Sequence, residues 1–293
     1  MLAALLAAGC AVSRKTAVPP TSRPAPSQTA SKEELIARFN QQAQAIASLN
    51  AAVKMTLTAG SAYTGVIEQY HQVGGFILAQ RPANIRVIGQ APVVGTDIFD
   101  MESDGETFRV FIPSKNKFLV GPAHLERPSA KPIENLRPQH LTSAIFWSAI
   151  PAGAPVLIEQ AEERTARYYV LTVVRPAEAA AADWEIDRKI WFDRADLRVA
   201  RLELFEPGGV IGTDIRYADW DTFGAEQYPR TISVARPAGD YDLQIQIVRL
   251  TLNETIPAER FVLQQPEGTE LVRVGESSPE TNPKEAAPAE KQP

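Results

Sequence analysis

Cysteine and histidine are scarce in this chain of 293 residues, and their scarcity excludes several kinds of chemistry. One cysteine is present, so no disulfide can form within the chain. The three histidines form no H-E-x-x-H motif, and neither a C-x-x-C pair nor a G-x-S-x-G nucleophile motif occurs. The sequence therefore offers no constellation for catalysis or metal binding, and it predicts a protein that is not an enzyme and uses no cofactor.

Excess positive charge is also missing. The chain has 30 lysine and arginine residues against 35 aspartates and glutamates, a net charge of -5 at pH 7. Nucleic-acid binding draws most of its affinity from basic surfaces, so no nucleic-acid partner is expected. Beyond the first ten residues, no apolar run reaches the roughly 18 residues that a membrane-spanning helix needs. Any attachment to a membrane must therefore use an anchor.

Two stretches are too poor in apolar residues to form a packed core. Residues 11–30 place several prolines among Ser, Thr, Ala and Gln, which predicts an extended tether of up to ~60 Å. Residues 277–293 are rich in Pro, Glu, Lys and Ala and predict a disordered tail. The part between them, 31–276, has ample apolar material, and we expect it to form one domain.

The periodicity of apolar residues predicts one opening helix followed by antiparallel strands. Ser31 and Glu34 fit a capping box, and an apolar stripe then runs through Leu35, Phe39 and on to Leu49. After Asn50 the period changes to two, with turn signals about every ten residues. Strands are predicted at 51–58, 62–72, 75–80, 84–90, 96–103, 106–112, 116–120, 156–163, 167–175, 184–193, 198–206, 210–220, 229–236, 241–252 and 260–263.

The strand patterns indicate a curved sheet. In the strand at 198–206, Leu202 and Leu204 share an apolar face, whereas Arg201 and Glu203 point toward solvent. In the strand at 241–252, the apolar alternation slips by one residue after the seventh position, which predicts a β-bulge and a bend. A bent antiparallel sheet with one apolar face tends to curl around that face. The predicted fold is therefore mainly β, a curved and unclosed antiparallel half-barrel.

The longest interruption of the strand pattern predicts a helical lid or plug. A proline-rich stretch at 122–138 indicates an irregular loop or lid, and an apolar helix is predicted near 139–150, ended by Pro151 and Gly153. This helix is too apolar for an exposed surface. It is either permanent core that closes the mouth of the sheet, or a movable plug whose contacts a lipid can replace.

The run from Leu5 to Cys10 resembles the lipobox of bacterial lipoproteins. That resemblance implies removal of a signal peptide before Cys10, a diacylglyceryl group on its sulfur and an acylated amino terminus. Each buried methylene contributes about 0.8 kcal/mol, so two or three chains anchor a protein where one does not. The alternative is a buried cysteine in an N-terminal helix, which the proline-rich residues that follow disfavour. Ala11 and Val12 replace the aspartate that favours inner-membrane retention in that family, which favours the outer membrane.

The order of elements resembles the bacterial LolA/LolB-type lipoprotein carriers over roughly residues 31–265. It comprises the cysteine anchor, the tether, an opening helix leading into paired strands, the step Gln80–Val87 between strands and a helical insert midway. The resemblance implies an unclosed half-barrel with a helical lid around an apolar cavity for acyl chains. The expected divisions are a signal remnant with lipobox at 1–10, the tether at 11–30, the LolA-like domain at 31–276 and the tail at 277–293.

These inferences predict a monomeric outer-membrane lipoprotein that faces the periplasm and binds acyl chains, such as palmitate, or lipidated cargo, with a role in lipoprotein transport. The alternative is a scaffold that recruits an envelope protein by exposed edge strands or the rim. Cys10 is the predicted lipidation site. Ten large apolar residues are the candidate lipid-binding wall, each of which also suits an ordinary core: Phe99, Met101, Phe108, Val110, Ile145, Trp147, Phe192, Leu202, Leu204 and Ile215.

Overall fold

The computed structural model describes residues 27–60, 68–69, 72–91, 95–123, 138–163, 166–177 and 183–274. Cys10, the tether as far as residue 26 and the predicted tail lie outside the described residues, as does most of the predicted lid loop.

Helix α1, Lys32–Ala45, begins as the capping box predicts. The Ser31 hydroxyl accepts a hydrogen bond from the Glu34 amide at 3.2 Å, and the Glu34 carboxylate accepts one from the Ser31 amide at 2.9 Å. Each bond satisfies an amide that has no partner within the helix. Leu35 and Phe39 are fully buried, so the apolar stripe of α1 faces the core.

The helix is shorter than the predicted apolar stripe. Ile46 is extended, and Leu49 already belongs to the first strand, although both side chains are buried. The last carbonyls of α1 find partners outside the helix: the Asn253 amide nitrogen donates to the carbonyl of Ala45 at 2.7 Å, and Arg81 donates to that of Ile46 at 2.9 Å. These bonds satisfy carbonyls that have no partner within the helix, so the chain can leave the helix and continue as a strand.

Fifteen strands among the described residues form one sheet. The strands are β1 Ser48–Ala59, β2 Glu68–Gln69, β3 Val73–Gln80, β4 Asn84–Gln90, β5 Asp97–Ser103, β6 Thr107–Ile112, β7 Lys117–Pro122, β8 Val156–Glu163, β9 Ala166–Pro176, β10 Trp184–Asp193, β11 Val199–Glu206, β12 Val210–Phe223, β13 Glu226–Arg236, β14 Tyr241–Leu252 and β15 Glu270–Arg273. Their order in the sheet is β15-β7-β6-β5-β4-β3-β1-β14-β13-β12-β11-β10-β9-β8, with β2 also beside β1. All pairs are antiparallel except β15 with β7.

The sheet is curved. It is also unclosed, because its end strands β15 and β8 do not pair with each other. The predicted fold class is confirmed. So is the bulge in β14: Ala52 of β1 lies opposite Arg249 and Val53 lies opposite Ile247, which leaves Val248 as the extra residue. Val248 is half-exposed, while the residues before it alternate between core and solvent.

One predicted strand is wrong, and one strand of the structure was not predicted. The strand expected at 260–263 is wrong, because Ala258–Phe261 is a 3-10 helix whose Phe261 packs with Leu78 and Ile256. A short apolar run fits either conformation, and here it covers a small separate core. The last strand is β15, which the sequence pattern did not indicate. Of the predicted strand 62–72, the structure describes β2, paired with the end of β1; most of the rest lies outside the described residues.

The second helix, α2, spans Pro138–Ile145 and is shorter than the predicted 139–150. Phe146, Trp147 and Ile150 are nevertheless buried in a non-helical segment. Helices α1 and α2 contribute side chains to one apolar cluster together with alternate residues of the strands. The two helices therefore fill the concave side of the sheet.

Candidate functional site

The ten predicted wall residues lie mostly in one apolar cluster. Met101, Ile145, Trp147, Phe192, Leu202 and Ile215 are buried members of it, and Phe99, Val110 and Leu204 pack against it partly buried. Phe108 is buried outside this cluster, beside Gly121. The arrangement brings nine candidates together as a packed interior, and contact of any of them with a ligand stays a prediction.

Two tyrosines from the sheet hold the end of α2. The Tyr217 hydroxyl donates to the carbonyl of Ala144 at 3.0 Å and accepts a hydrogen bond from the Trp147 indole at 2.8 Å. The Tyr228 hydroxyl donates to the carbonyl of Ile145 at 3.1 Å. Burial raises the pKa of both tyrosines well above the ordinary range, so both hydroxyls keep the proton that they donate. In a longer helix, the carbonyls of Ala144 and Ile145 would accept hydrogen bonds from backbone amides of the next turn. Here the two tyrosine hydroxyls donate to them instead.

The segment after α2 is tied to α1 and to the β3–β4 turn. Asn40 of α1 donates to the carbonyl of Ile150 at 3.1 Å and accepts a hydrogen bond from its amide at 2.7 Å. Arg81 donates to the carbonyl of Trp147 at 2.9 Å and to that of Ala43 at 2.6 Å. Backbone groups of 144–150 are thus bonded to side chains of the sheet, of α1 and of the turn, which holds the segment against the sheet.

A groove of about 450 Å³ opens beside Trp147. Apolar side chains at its floor are continuous with the core: Trp147, Phe192 and Val199 are buried members of the main cluster, and Trp220 packs against it. The three cluster members are almost fully buried, so polar groups form more of the surface that the groove exposes than apolar groups do. The Trp147 ring stacks on Phe39 at 5.2 Å and meets Trp220 edge-on at 6.1 Å. This volume lies within the range of about 300–1,000 Å³ typical of small-molecule sites.

The rim of the groove is polar. It consists of side chains from α1, from the turn after β10 and from the start of β13, among them Arg38, Gln42, Arg198 and Gln227, with the acidic Asp196 and Glu226. Gln42 donates to the carbonyl of Gln227 at 2.8 Å, and Arg198 donates to the side chain of Gln227 at 3.2 Å and stacks over Trp220. Polar groups thus surround a small apolar floor.

Sequence reasoning missed most of this groove. Alternation along β12 from Ile215 and Tyr217 places Trp220 on the convex face. Asp219, however, adopts a left-handed backbone conformation with φ 55°, and Trp220 contacts Trp147. A single left-handed aspartate leaves no clear signal in a hydrophobic pattern. Trp147 and Phe192 are the two groove residues that the prediction did include.

Charged side chains on the convex face form specific ion pairs and hydrogen bonds. Arg201 pairs with Asp214 through two bonds of 2.7 and 2.8 Å and stacks over Trp191. The Trp191 indole donates to Glu203 at 2.7 Å, and Glu203 is only 5% exposed, so the prediction of Glu203 as solvent-facing is wrong. The neighbouring tryptophan and arginine cover that carboxylate. Burial raises the pKa of Asp242 on the same face, and the charges of Asp214 and Asp240 add to the effect.

Within the described ranges, no group of histidine, cysteine, aspartate or glutamate side chains has the arrangement of a metal site. The same ranges contain no helix with the length and apolar content to span a bilayer.

No family model matches the chain, and no curated protein does. Among solved structures, it is similar to a LolA superfamily protein from Nitrosomonas europaea (13% identity, TM-score 0.47, covering 80% of this chain and 99% of that one). It is also similar to a DUF1329 family protein from Desulfovibrio piger (12%, 0.49, 78% and 95%) and to a putative outer membrane lipoprotein-sorting protein domain from Vibrio parahaemolyticus (10%, 0.47, 78% and 94%). These likenesses concern the fold alone.

Proposed function

We propose that this chain is a monomeric lipoprotein of the bacterial envelope, anchored in the outer membrane through Cys10, whose half-barrel faces the periplasm. Its function is to bind an acyl chain, either of a free lipid or of lipidated cargo, and it catalyses no reaction. The observation that supports this proposal is the groove beside Trp147, whose apolar floor continues into the core. A role in lipoprotein localisation follows if the bound chain belongs to another lipoprotein.

Acyl-chain binding draws its free energy from the apolar surface that it removes from water. Burial of apolar surface contributes about 25 cal/mol per Å², or about 0.8 kcal/mol for each fully buried methylene. A chain in this open groove keeps part of its surface in water, so each methylene gains less than that before the cost of ordering the chain and the protein. A membrane offers the same chain a comparable apolar environment, so release needs no chemical step.

Mass spectrometry of the purified full chain tests the binding function. Native spectra and organic extracts are expected to contain a fatty acid or a diacyl lipid beyond any lipid bound covalently to Cys10. The C10S variant provides the control, because it carries no covalent lipid and should retain the bound one. Extracts of C10S without acyl compounds, together with no binding of added palmitate, would refute the proposal.

The alternative function is a scaffold that recruits an envelope protein. The observation that favours it is the edge strand β8, which pairs with β9 alone among the described strands and exposes Leu157 at 66% and Ile158 at 41%. An exposed apolar edge can accept a strand from another chain. If this function is the correct one, L157K combined with I158K will abolish crosslinks to a partner, whereas substitution of Trp220 will not.

A further inference from the structure

The chain enters the folded domain at one end of the sheet. The Gln28 amide donates to the carbonyl of Arg194 at 2.6 Å, and the Gln28 side chain donates to that of Ala195 at 2.9 Å. Arg194 donates back to the carbonyl of Gln28 at 3.2 Å, and Arg167 donates to the Ser27 hydroxyl at 3.4 Å. The first described residues are therefore fixed to the turn between β10 and β11.

The groove opens at this same end. Asp196 and Arg198 of the β10–β11 turn are among its lining residues, as are Ala225 of the β12–β13 turn and Gln227 at the start of β13. Strand order explains the proximity, because alternate turns of an antiparallel sheet lie at the same end. The opposite ends of β10 and β12 lie farther away: β10 has ten residues, which at ~3.3 Å each span ~30 Å.

We infer that this end of the half-barrel faces the bilayer, and that the groove takes its acyl chain directly from the lipid surface. The inference rests on the proposed anchor at Cys10. Residues 11–26, sixteen residues, separate Cys10 from Ser27 and would span ~50 Å in an extended polyproline-like conformation. The chain joins the domain beside the groove. Whenever the tether spans less than the ~30 Å length of the strands, the domain does not fit between this attachment point and the bilayer, so the groove then lies nearer the membrane than the opposite turns do. Arg38 on the rim can meet a lipid phosphate while the floor receives the acyl chain, whereas Arg198 is paired with Asp196 at 3.5 Å.

The single cysteine allows this orientation to be tested separately from acylation in cells. The full chain is coupled at Cys10 to a maleimide phospholipid in phosphatidylcholine vesicles, some of whose lipids carry a nitroxide on the headgroup. A225W adds a tryptophan in the exposed turn after β12, and V210W adds one at the exposed first residue of β12, at its opposite end. The uncoupled C10S form of each variant gives the background signal.

Coupled A225W is expected to lose more of its added fluorescence to the nitroxide lipids than coupled V210W does. Equal loss in both variants, greater loss in V210W or no loss in either would overturn the inference. Absence of palmitate labelling at Cys10 in cells would instead refute the proposed anchor, since the chemical coupling does not depend on that reaction. Thermal unfolding of both variants confirms that the comparison is made between folded proteins.

Discussion

At the scale of single residues, Trp220 links the core to the open groove. It lines the groove and packs against the main apolar cluster, although regular alternation along β12 would turn it to the convex face. A contact of this kind with an apolar ligand is worth roughly 1–3 kcal/mol when the residue is truncated.

We expect W220A to weaken binding of a fluorescent palmitate analogue about tenfold, which corresponds to about 1.4 kcal/mol. The matched control is W184A, which removes the same indole ring. Trp184 is 59% exposed and lies at the end of β10 far from the groove. Titration of delipidated protein gives both affinities. An equal loss in the two variants would show that the groove beside Trp147 is not the binding site.

The hydroxyls of the buried tyrosines are expected to stabilise the fold through the carbonyls that they satisfy. Y228F leaves the carbonyl of Ile145 without its partner, and we expect a loss of about 1–3 kcal/mol in the free energy of unfolding. Y168F, at a half-buried position on the convex face, serves as the control and should change stability less. Urea unfolding measures both, and similar losses would contradict the role assigned to the Tyr228 bond.

The raised pKa values of Tyr217 and Tyr228 predict a decrease of stability at alkaline pH. Above the ordinary tyrosine pKa of about 10, unfolded tyrosines lose their protons while these two keep theirs, so the unfolded state gains relative stability. The contribution is fully present below pH about 10 and is lost as the pH rises toward the folded values. The double variant Y217F/Y228F should show a shallower decrease in urea unfolding between pH 9 and about 11.5. An unchanged slope would contradict the assignment.

At the scale of secondary-structure elements, the bulge in β14 lets a bent strand keep its apolar residues on one face. Removal of Val248 would restore regular pairing of Ala52 with Arg249 while every other side chain keeps its face. Deletion of Gln244 instead would turn Ile245 and Ile247 toward solvent and Gln246 toward the core. We therefore expect deletion of Val248 to cost several kcal/mol less than deletion of Gln244 in urea unfolding. The reverse order would contradict the register described here.

The elements that could be predicted are those with local causes. The capping box of α1 and the change of alternation in β14 each depend on residues that are close in sequence, so both were predicted correctly. The end of α2 depends on Tyr217 and Tyr228, which are distant in sequence, and the predicted helix was accordingly too long. The direction of Trp220 depends on one left-handed residue, and the strand expected at 260–263 has a short apolar run that a 3-10 helix also satisfies.

At the scale of the whole molecule, the described part of the chain forms one unclosed sheet whose concave face packs against α1 and α2. A groove opens beside this packed interior, near the turns after β10 and β12. It lies at one end of the half-barrel. The chain enters the domain at that end, which relates the binding site to the proposed anchor.

The anchor and the half-barrel are expected to act separately, and the C10S variant tests this separation. Because several acyl chains are needed to hold a protein on a membrane, C10S should move from the membrane fraction to the soluble fraction and lose labelling by a palmitate analogue. The groove lies within the described domain, so purified C10S should bind the same analogue with the affinity of the wild type after delipidation. C10S that stays in the membrane fraction would show that another part of the chain holds it there. Loss of analogue binding by folded C10S would show that the groove depends on the anchor, contrary to the site described here.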